Sequence, residues 1–208
     1  MPLKEFHKTG EQSGWAVWRI DETEAQLTSG ITGTPPHEIT HEKKKLEWLA
    51  GRQLLISLSN HLGLRFFGII KDNFGKPFLE KYPHHISLSH SYPFVAAQID
   101  MYQSVGIDLE QPKEKLLKIA SRILSPIELA DAGADRIKHC VYWCAKETMY
   151  KIHGLGGLHF SNQLNIAPFL LQEEGNLNGV ISSDGQKRDV RLGYQLCPDY
   201  VLVFTLTV

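Results

Sequence analysis

Two stretches of the chain carry residue types able to do chemistry at spacings that bring them to one face. Gly106-Ile107-Asp108-Leu109-Glu110 reads as a strand bounded by turn residues. Side chains two apart on a strand point the same way, so Asp108 and Glu110 present two carboxylates on one face and Leu109 faces the other. Trp143-Cys144-Ala145-Lys146-Glu147-Thr148-Met149-Tyr150-Lys151 reads as part of a helix from about Asp135 to His153, ended by Gly154. Ile137, Val141, Cys144, Thr148 and Ile152 recur at three-to-four spacing with Cys140 beside them, a stripe that faces a core. On a wheel of roughly 100° per residue, Trp143, Lys146, Glu147, Tyr150 and Lys151 gather in a different arc. Asp108, Glu110 and Glu147 are hard oxygen ligands of the kind Mg²⁺ takes, an ion that keeps some waters and also binds substrate phosphates. Lys146 and Lys151 suit the phosphates themselves. The joint reading is metal-assisted phosphate transfer. Taken singly, Asp108 and Glu110 also read as ordinary strand-end carboxylates, and Glu147 with Lys151 as an i,i+4 helix pair.

The elements that must position these groups belong to a chain of 208 residues, enough for one large domain or two small subdomains. An apolar share of 42% supports a sizeable core. Net charge is −1, from 22 basic and 23 acidic side chains, so the whole chain offers no electrostatic case for nucleic acid. Cys140, Cys144 and Cys197 make no disulfide framework, and the odd count suits a reducing compartment. Cys140 and Cys144 read as small buried hydrophobes, since no partners stand at zinc-like spacing. Met1 to Gly14 is polar and of mixed charge, unlike a signal peptide. No apolar run approaches the roughly 20 residues that span a bilayer. A soluble, cytoplasmic protein without membrane or nucleic-acid partners is expected.

In the first half, Trp15 to Ile20 reads as a strand, Gly30 to Pro36 as a loop, and about His41 to His61 as a helix stopped by Gly63. Lys43-Lys44-Lys45 is a short basic run on that helix. Gly51 sits mid-helix at a cost of roughly 1 kcal/mol against Ala, to be offset by close packing or by close approach of a ligand. Gly75-Lys76-Pro77 is a defined turn that aims one lysine. Ile86 to Ser91 alternates as a strand and brings Ser89, His90 and Ser91 to its end. Neighbouring strand residues point apart and no G-x-S-x-G elbow is present, which argues against a Ser/His hydrolase dyad. Tyr92-Pro93 turns the chain, and Phe94 to Ile99 is expected to pair with Ser104 to Glu110.

In the second half, Lys113 to Ile123 reads as a helix. Ser125-Pro126-Ile127-Glu128 reads as the capped start of another. Phe160 to Ala167, Leu177 to Ser182, Lys187 to Gln195 and Tyr200 to Val208 read as strands, with Ser183-Asp184-Gly185-Gln186 as a hairpin turn. The expected class is α+β: two similar subdomains, 1–103 and 104–208, each an antiparallel sheet packed with a long helix. An active site at their interface is expected.

Four stretches in order carry a family resemblance: Ala50-Gly51-Arg52, Gly75-Lys76-Pro77, Ser89-His90, and Gly106-to-Glu110 with Trp143-to-Lys151. The last pair, G-I-D-x-E followed by W-x-x-K-E-x-x-x-K, is the specific part. The chain resembles a 4′-phosphopantetheinyl transferase of the monomeric, two-subdomain, surfactin-synthetase-activating type, which activates carrier proteins of fatty-acid, polyketide and nonribosomal peptide biosynthesis. The resemblance covers about residues 41 to 157. It implies transfer of the phosphopantetheine arm of coenzyme A to a serine of an acyl or peptidyl carrier protein, with release of adenosine 3′,5′-bisphosphate. It implies Mg²⁺ on Asp108, Glu110 and Glu147, with Lys146 and Lys151 on phosphates, and with Glu147 or a metal-held water taking the serine proton. It places Lys76, Ser89, His90 and Arg52 at the nucleotide end of coenzyme A. Thr148 stands where the family uses alanine or serine, and Leu109 where isoleucine is frequent. Lys43, Lys44 and Lys45 are candidates for a basic grip on the cofactor. Two other readings remain: a Mg²⁺-dependent phosphohydrolase using the same acids, and a coenzyme A binding module without catalysis.

Overall fold

The computed structural model describes residues 3–31 and 33–206. The chain divides into two units, one running through Ser104 and the other beginning at Val105. The last two residues of the strand expected over Tyr200 to Val208 lie outside the described residues.

The first unit starts with β1 (Leu3–Gly10) and β2 (Ser13–Arg19), followed by short α1 (Glu24–Thr28) and long α2 (Glu42–His61). Then come β3 (Ile69–Lys71), β4 (Pro77–Leu79), β5 (His85–Ser91) and β6 (Phe94–Asp100). The strands form one antiparallel sheet in the order β1-β2-β6-β5-β4-β3. Leu49, Leu54, Leu55 and Leu58 of α2 pack with Ala16, Ile86, Val95, Ala97 and Ile99 of the sheet. Burial of this leucine face, at about 25 cal/mol per Å² of apolar surface, holds the helix on the strands. Gly63 ends the helix with φ +73°.

One expectation fails in this unit. Phe94–Asp100 pairs with β2 and β5, so Phe94 to Ile99 does not pair with Ser104 to Glu110. The polar N-terminal segment is an edge strand, which tolerates charged side chains because one flank faces solvent.

Gly51 is not there for tight packing. A Cβ built on it would meet only Leu88 Cδ2, at an ordinary 3.7 Å. Gly51→Ala is therefore expected to stabilise the fold by about 1 kcal/mol through helix propensity. Urea denaturation checks this, and a destabilised variant would contradict it.

The second unit contains β7 (Ile107–Glu110), α3 (Lys115–Ile123), α4 (Pro126–Ala132), α5 (Arg136–His153), α6 (Phe160–Gln163), β8 (Leu164–Ile166), β9 (Glu174–Ser183), β10 (Gln186–Leu196) and β11 (Val201–Thr205). Its antiparallel sheet has the order β7-β11-β10-β9-β8. Helix α5 packs across β7, β11 and β8. Asp135 caps α5 by accepting from the Ile137 and Lys138 N–H groups, and Gly154 closes it in the left-handed region. Ser125 and Glu128 form the expected capping box of α4. Asp184 and Gly185, both at positive φ, make the β9–β10 hairpin turn.

Of the expected core stripe of α5, Cys140, Val141, Cys144, Thr148 and Ile152 are buried, whereas Ile137 in the first turn is 38% exposed. The strand expected from Phe160 is a helical turn first, and extended pairing starts only at Leu164. The architecture is α+β with two like-built units, each an antiparallel sheet carrying a long helix. No helix among the described residues is long and apolar enough to cross a membrane.

Candidate functional site

In the second unit, one close approach sets the geometry. A Cβ on Gly106 would lie 2.1 Å from the carbonyl oxygen of Thr148. Only glycine lets the start of β7 come this near the backbone of α5. The next residues of the strand therefore face the last turns of the helix. Lys151 donates to Asp108 Oδ1 at 2.7 Å and to the Ile107 carbonyl at 2.8 Å. Asp108 is 6% exposed. Glu147 stands one turn before Lys151 on the same helix.

Glu147 has its pKa pushed up to about 7, by burial first and by the negative charge of Asp108 next, with Lys151 pulling the other way. Asp108, Glu147 and Lys151 thus form one electrostatic group. The folded-state pKa lies above the unfolded value near 4.5, so the native state binds more protons between those two values. Stability should fall as pH rises through that window, by on the order of 2 kcal/mol after allowance for partial exposure. Denaturation in chelator at pH 5 and pH 8 tests this. Glu147→Gln should flatten the difference, and an unchanged pH dependence in the variant would refute the assignment.

Glu110 lies two residues further along β7, with Lys115 at 3.2 Å and Lys113 at 3.9 Å. Among the described residues, no group of three His, Cys, Asp or Glu side chains is arranged to hold a metal ion. The structure draws Asp108 and Glu147 together and turns Glu110 toward the lysines. The donor set still fits a hard divalent ion. Its ligands would be carboxylate oxygens, and the repulsion that lifts Glu147 is one such an ion relieves.

Lys146 occupies a different place from the one expected. It is fully buried, with Glu128 at 2.7 Å and the carbonyls of Leu164 at 2.6 Å and Phe160 at 2.8 Å. Burial pushes its pKa down and Glu128 pulls it back. With three protein acceptors in hand, this ammonium is structural rather than a phosphate ligand. Next to it, Trp143 and Tyr150 gather against Phe160, with ring centroids 6.1 and 5.4 Å away.

The first unit holds a second group around a cavity of about 510 Å³. Arg52, Ser89 and His90 all line it, as do Gly75 and Pro77, the neighbours of Lys76. The Lys76 ammonium donates to the Ser104 hydroxyl. Arg52 stacks on Trp48, with its guanidinium carbon 3.1 Å from the ring centroid. Burial lowers the Arg52 pKa to about 10, so it stays charged at neutral pH. Of the run Lys43–Lys45, Lys44 reaches the cavity wall. Sequence reasoning missed Trp48 and Glu47, which share that wall. The available signal was their helical spacing to Arg52 and Lys44: Trp48 stands four residues before Arg52, and Glu47 three after Lys44.

The family model of the 4′-phosphopantetheinyl transferase superfamily matches residues 104–205, the stretch that holds Gly106, Asp108, Glu147 and Lys151. A curated 4′-phosphopantetheinyl transferase of Bacillus subtilis is 30% identical over 118 residues, 54% of this chain and 50% of that protein. The 4′-phosphopantetheinyl transferase Sfp of Bacillus subtilis (strain 168) is 36% identical over 89 residues, 40% of this chain and 39% of that protein. The matched stretches span half the length of these relatives or less. The family pattern and the geometry that serves it fall in the same half of the chain, and residues 104–205 match the 4′-phosphopantetheinyl transferase superfamily.

Proposed function

We propose that the protein transfers the 4′-phosphopantetheine arm of coenzyme A to a serine hydroxyl of an acyl or peptidyl carrier protein, with Mg²⁺ and with release of adenosine 3′,5′-bisphosphate. The observation that carries this reading is the Asp108–Glu147–Lys151 group at the glycine-permitted contact of β7 with α5. Asp108, Glu110 and Glu147 would hold the ion, which supplies charge neutralisation on the diphosphate. Glu110 would exchange Lys113 and Lys115 for it.

The rest of the chemistry falls to the chain's own groups. Lys151, held by Asp108 and the Ile107 carbonyl, presents its charge to the phosphate being transferred. Glu147 is the carboxylate of this group that would remove the serine proton. The serine oxygen bonds to phosphorus, the bond from phosphorus to the bisphosphate oxygen breaks, and the serine proton goes to Glu147. Arg52, Lys76, Ser89 and His90 contact the nucleotide end of coenzyme A. Lys146 leaves the phosphate set for the reason given above.

An acidic partner protein fits helix α3. That helix carries Lys115, Lys118 and Arg122, no acidic residue, and a partly exposed Leu117. Reversing charge with Lys118→Glu and Arg122→Glu is expected to raise KM for the carrier protein about tenfold and to leave coenzyme A binding unchanged. Steady-state kinetics with each substrate varied checks the split. Cys140, Cys144 and Cys197, none of them in a disulfide, fit the reducing cytoplasm, where we place the protein as a monomer.

Mass spectrometry of carrier proteins incubated with coenzyme A, Mg²⁺ and this protein tests the proposal. A phosphopantetheine adduct on serine, with one bisphosphate released per adduct, is the expected result. Free phosphopantetheine formed without any acceptor would instead make it a hydrolase.

A further inference from the structure

Thr205 ends β11 and lies outside the motif that points to the reaction, yet its side chain grips the glycine that lets β7 approach α5. It is buried, at 6% exposure. Its hydroxyl accepts the Gly106 N–H at 2.8 Å and donates to the Gly106 carbonyl at 3.0 Å. Its backbone N–H donates to the same carbonyl at 3.0 Å. The regular pairing of β7 with β11 runs from Glu110 opposite Val201 to Ile107 opposite Phe204. The Thr205 side chain carries the hold one residue further, onto a residue with no side chain to be held by.

A second hydroxyl works from the helix side. Thr148 is fully buried on α5 and donates to the Val203 carbonyl at 3.2 Å. Val203 stands opposite Asp108 in the strand pairing. Both acids are therefore placed relative to β11: Asp108 through Gly106, two residues before it, and Glu147 through its neighbour Thr148. The arrangement has slack in one direction only. A Cβ on Gly106 would already collide with the Thr148 carbonyl oxygen, so the strand is as near the helix as the backbone allows. Asp108 and Glu147 repel when both are ionised, which favours drifting apart. Lys151 also ties strand to helix, but on a flexible four-carbon stem that follows such a drift. A threonine hydroxyl sits on a short side chain stiff at χ1 and does not.

We propose that Thr205 and Thr148 are positioning residues: their hydroxyls make β11 the reference that fixes the spacing of Asp108 and Glu147, and with it the capacity of the two carboxylates to share a divalent ion. The part this ion plays in phosphopantetheine transfer rests on the function proposed above. The hold of the two hydroxyls on β7 and α5 does not. Neither threonine touches a reacting atom.

The test uses the full chain and Mn²⁺ as the probe, its binding read by electron paramagnetic resonance with and without coenzyme A. Thr205→Val and Thr148→Val keep the branched shape and remove the hydroxyl, while Thr205→Ser and Thr148→Ser keep the hydroxyl. Mn²⁺ affinity is expected to fall about tenfold in each valine variant, the low end of what groups supporting a metal ligand contribute, and to stay near the parent value in each serine variant. Carrier loading by the valine variants should fall at low Mg²⁺ and recover at high Mg²⁺, with KM for coenzyme A unchanged. Hydroxyls that only stabilise the fold would lower the urea midpoint and leave the Mn²⁺ affinity and the Mg²⁺ dependence untouched, and that result overturns the proposal. Either valine variant decides the matter if the other folds poorly. If the parent takes up no Mn²⁺ and loads no carrier, the proposed function fails. Hydrogen exchange of the β7 amides in the ligand-free protein then still decides the positioning. Faster exchange from Gly106 through Asp108 in Thr205→Val supports it, and a rise confined to Gly106 overturns it.

Discussion

Glu147→Gln is expected to lower the rate of phosphopantetheine transfer by about 10²- to 10⁴-fold, the range that a well-placed general base contributes. Glutamine keeps the shape of the side chain and loses both the proton-accepting charge and an anionic oxygen. The loss should appear in kcat, since serine deprotonation belongs to the transition state rather than to substrate binding. Coenzyme A affinity should change little by comparison, because the cofactor's nucleotide end is assigned to Arg52, Lys76, Ser89 and His90. The fold should not suffer. Glu147 is strained by burial and by Asp108 when ionised, so its neutral replacement is as stable as the parent or more so above pH 7. Single-turnover loading of a carrier protein, read by mass spectrometry at saturating Mg²⁺, makes the measurement. A variant that loads the carrier at the parent rate would falsify both the role of Glu147 and the cluster built around it.

The cluster was legible because each of its parts leaves a local trace. A carboxylate on a strand, a Glu–Lys pair at i,i+4 and a glycine where the backbone must come close can all be read from neighbouring letters, whereas the turn of Glu110 toward Lys113 and Lys115 could not. The structure adds that Gly106 meets Thr148 O, forty-odd residues later, which no local pattern encodes. The misplaced pairing of Phe94 to Ile99 has a related cause. Alternating apolar residues announce a strand but do not name its partner, and β6 found β2 across nearly the whole unit. The N-terminal strand was missed because an edge position makes no demand for an apolar face. Glu47 and Trp48 were hidden among the leucines of α2. A charged letter on a helix reads as solvated unless its partners are known, and those of Glu47 include His90, on another element. Lys146 shows the same limit. A helical wheel separates arcs but carries no depth, so a lysine neutralised by Glu128 inside the core looks identical to one reaching for phosphate.

Lys146→Met is expected to cost about 3–5 kcal/mol of folding stability, the range for removing one partner of a buried ion pair. The side chain is fully buried, and its ammonium is the hub that joins α4, the Phe160 turn and the start of β8. Glu128, itself 1% exposed, has further duties: one oxygen accepts the Ser125 N–H of the α4 cap at 2.7 Å and the other accepts the Ile166 N–H at 2.8 Å. Methionine fills the space of the lysine stem but leaves a buried carboxylate without its counter-charge, and the carbonyls of Phe160 and Leu164 without their donor. The double variant Lys146→Met, Glu128→Gln should recover part of the loss, because the amide still accepts from a backbone N–H and no longer needs neutralising. Urea denaturation of the parent, both single variants and the double gives the coupling energy directly. The outcome also separates the two roles open to this lysine. A phosphate ligand would leave stability nearly unchanged and raise KM for coenzyme A. A core hub lowers the urea midpoint whether or not the cofactor is present, and that is the result this geometry requires.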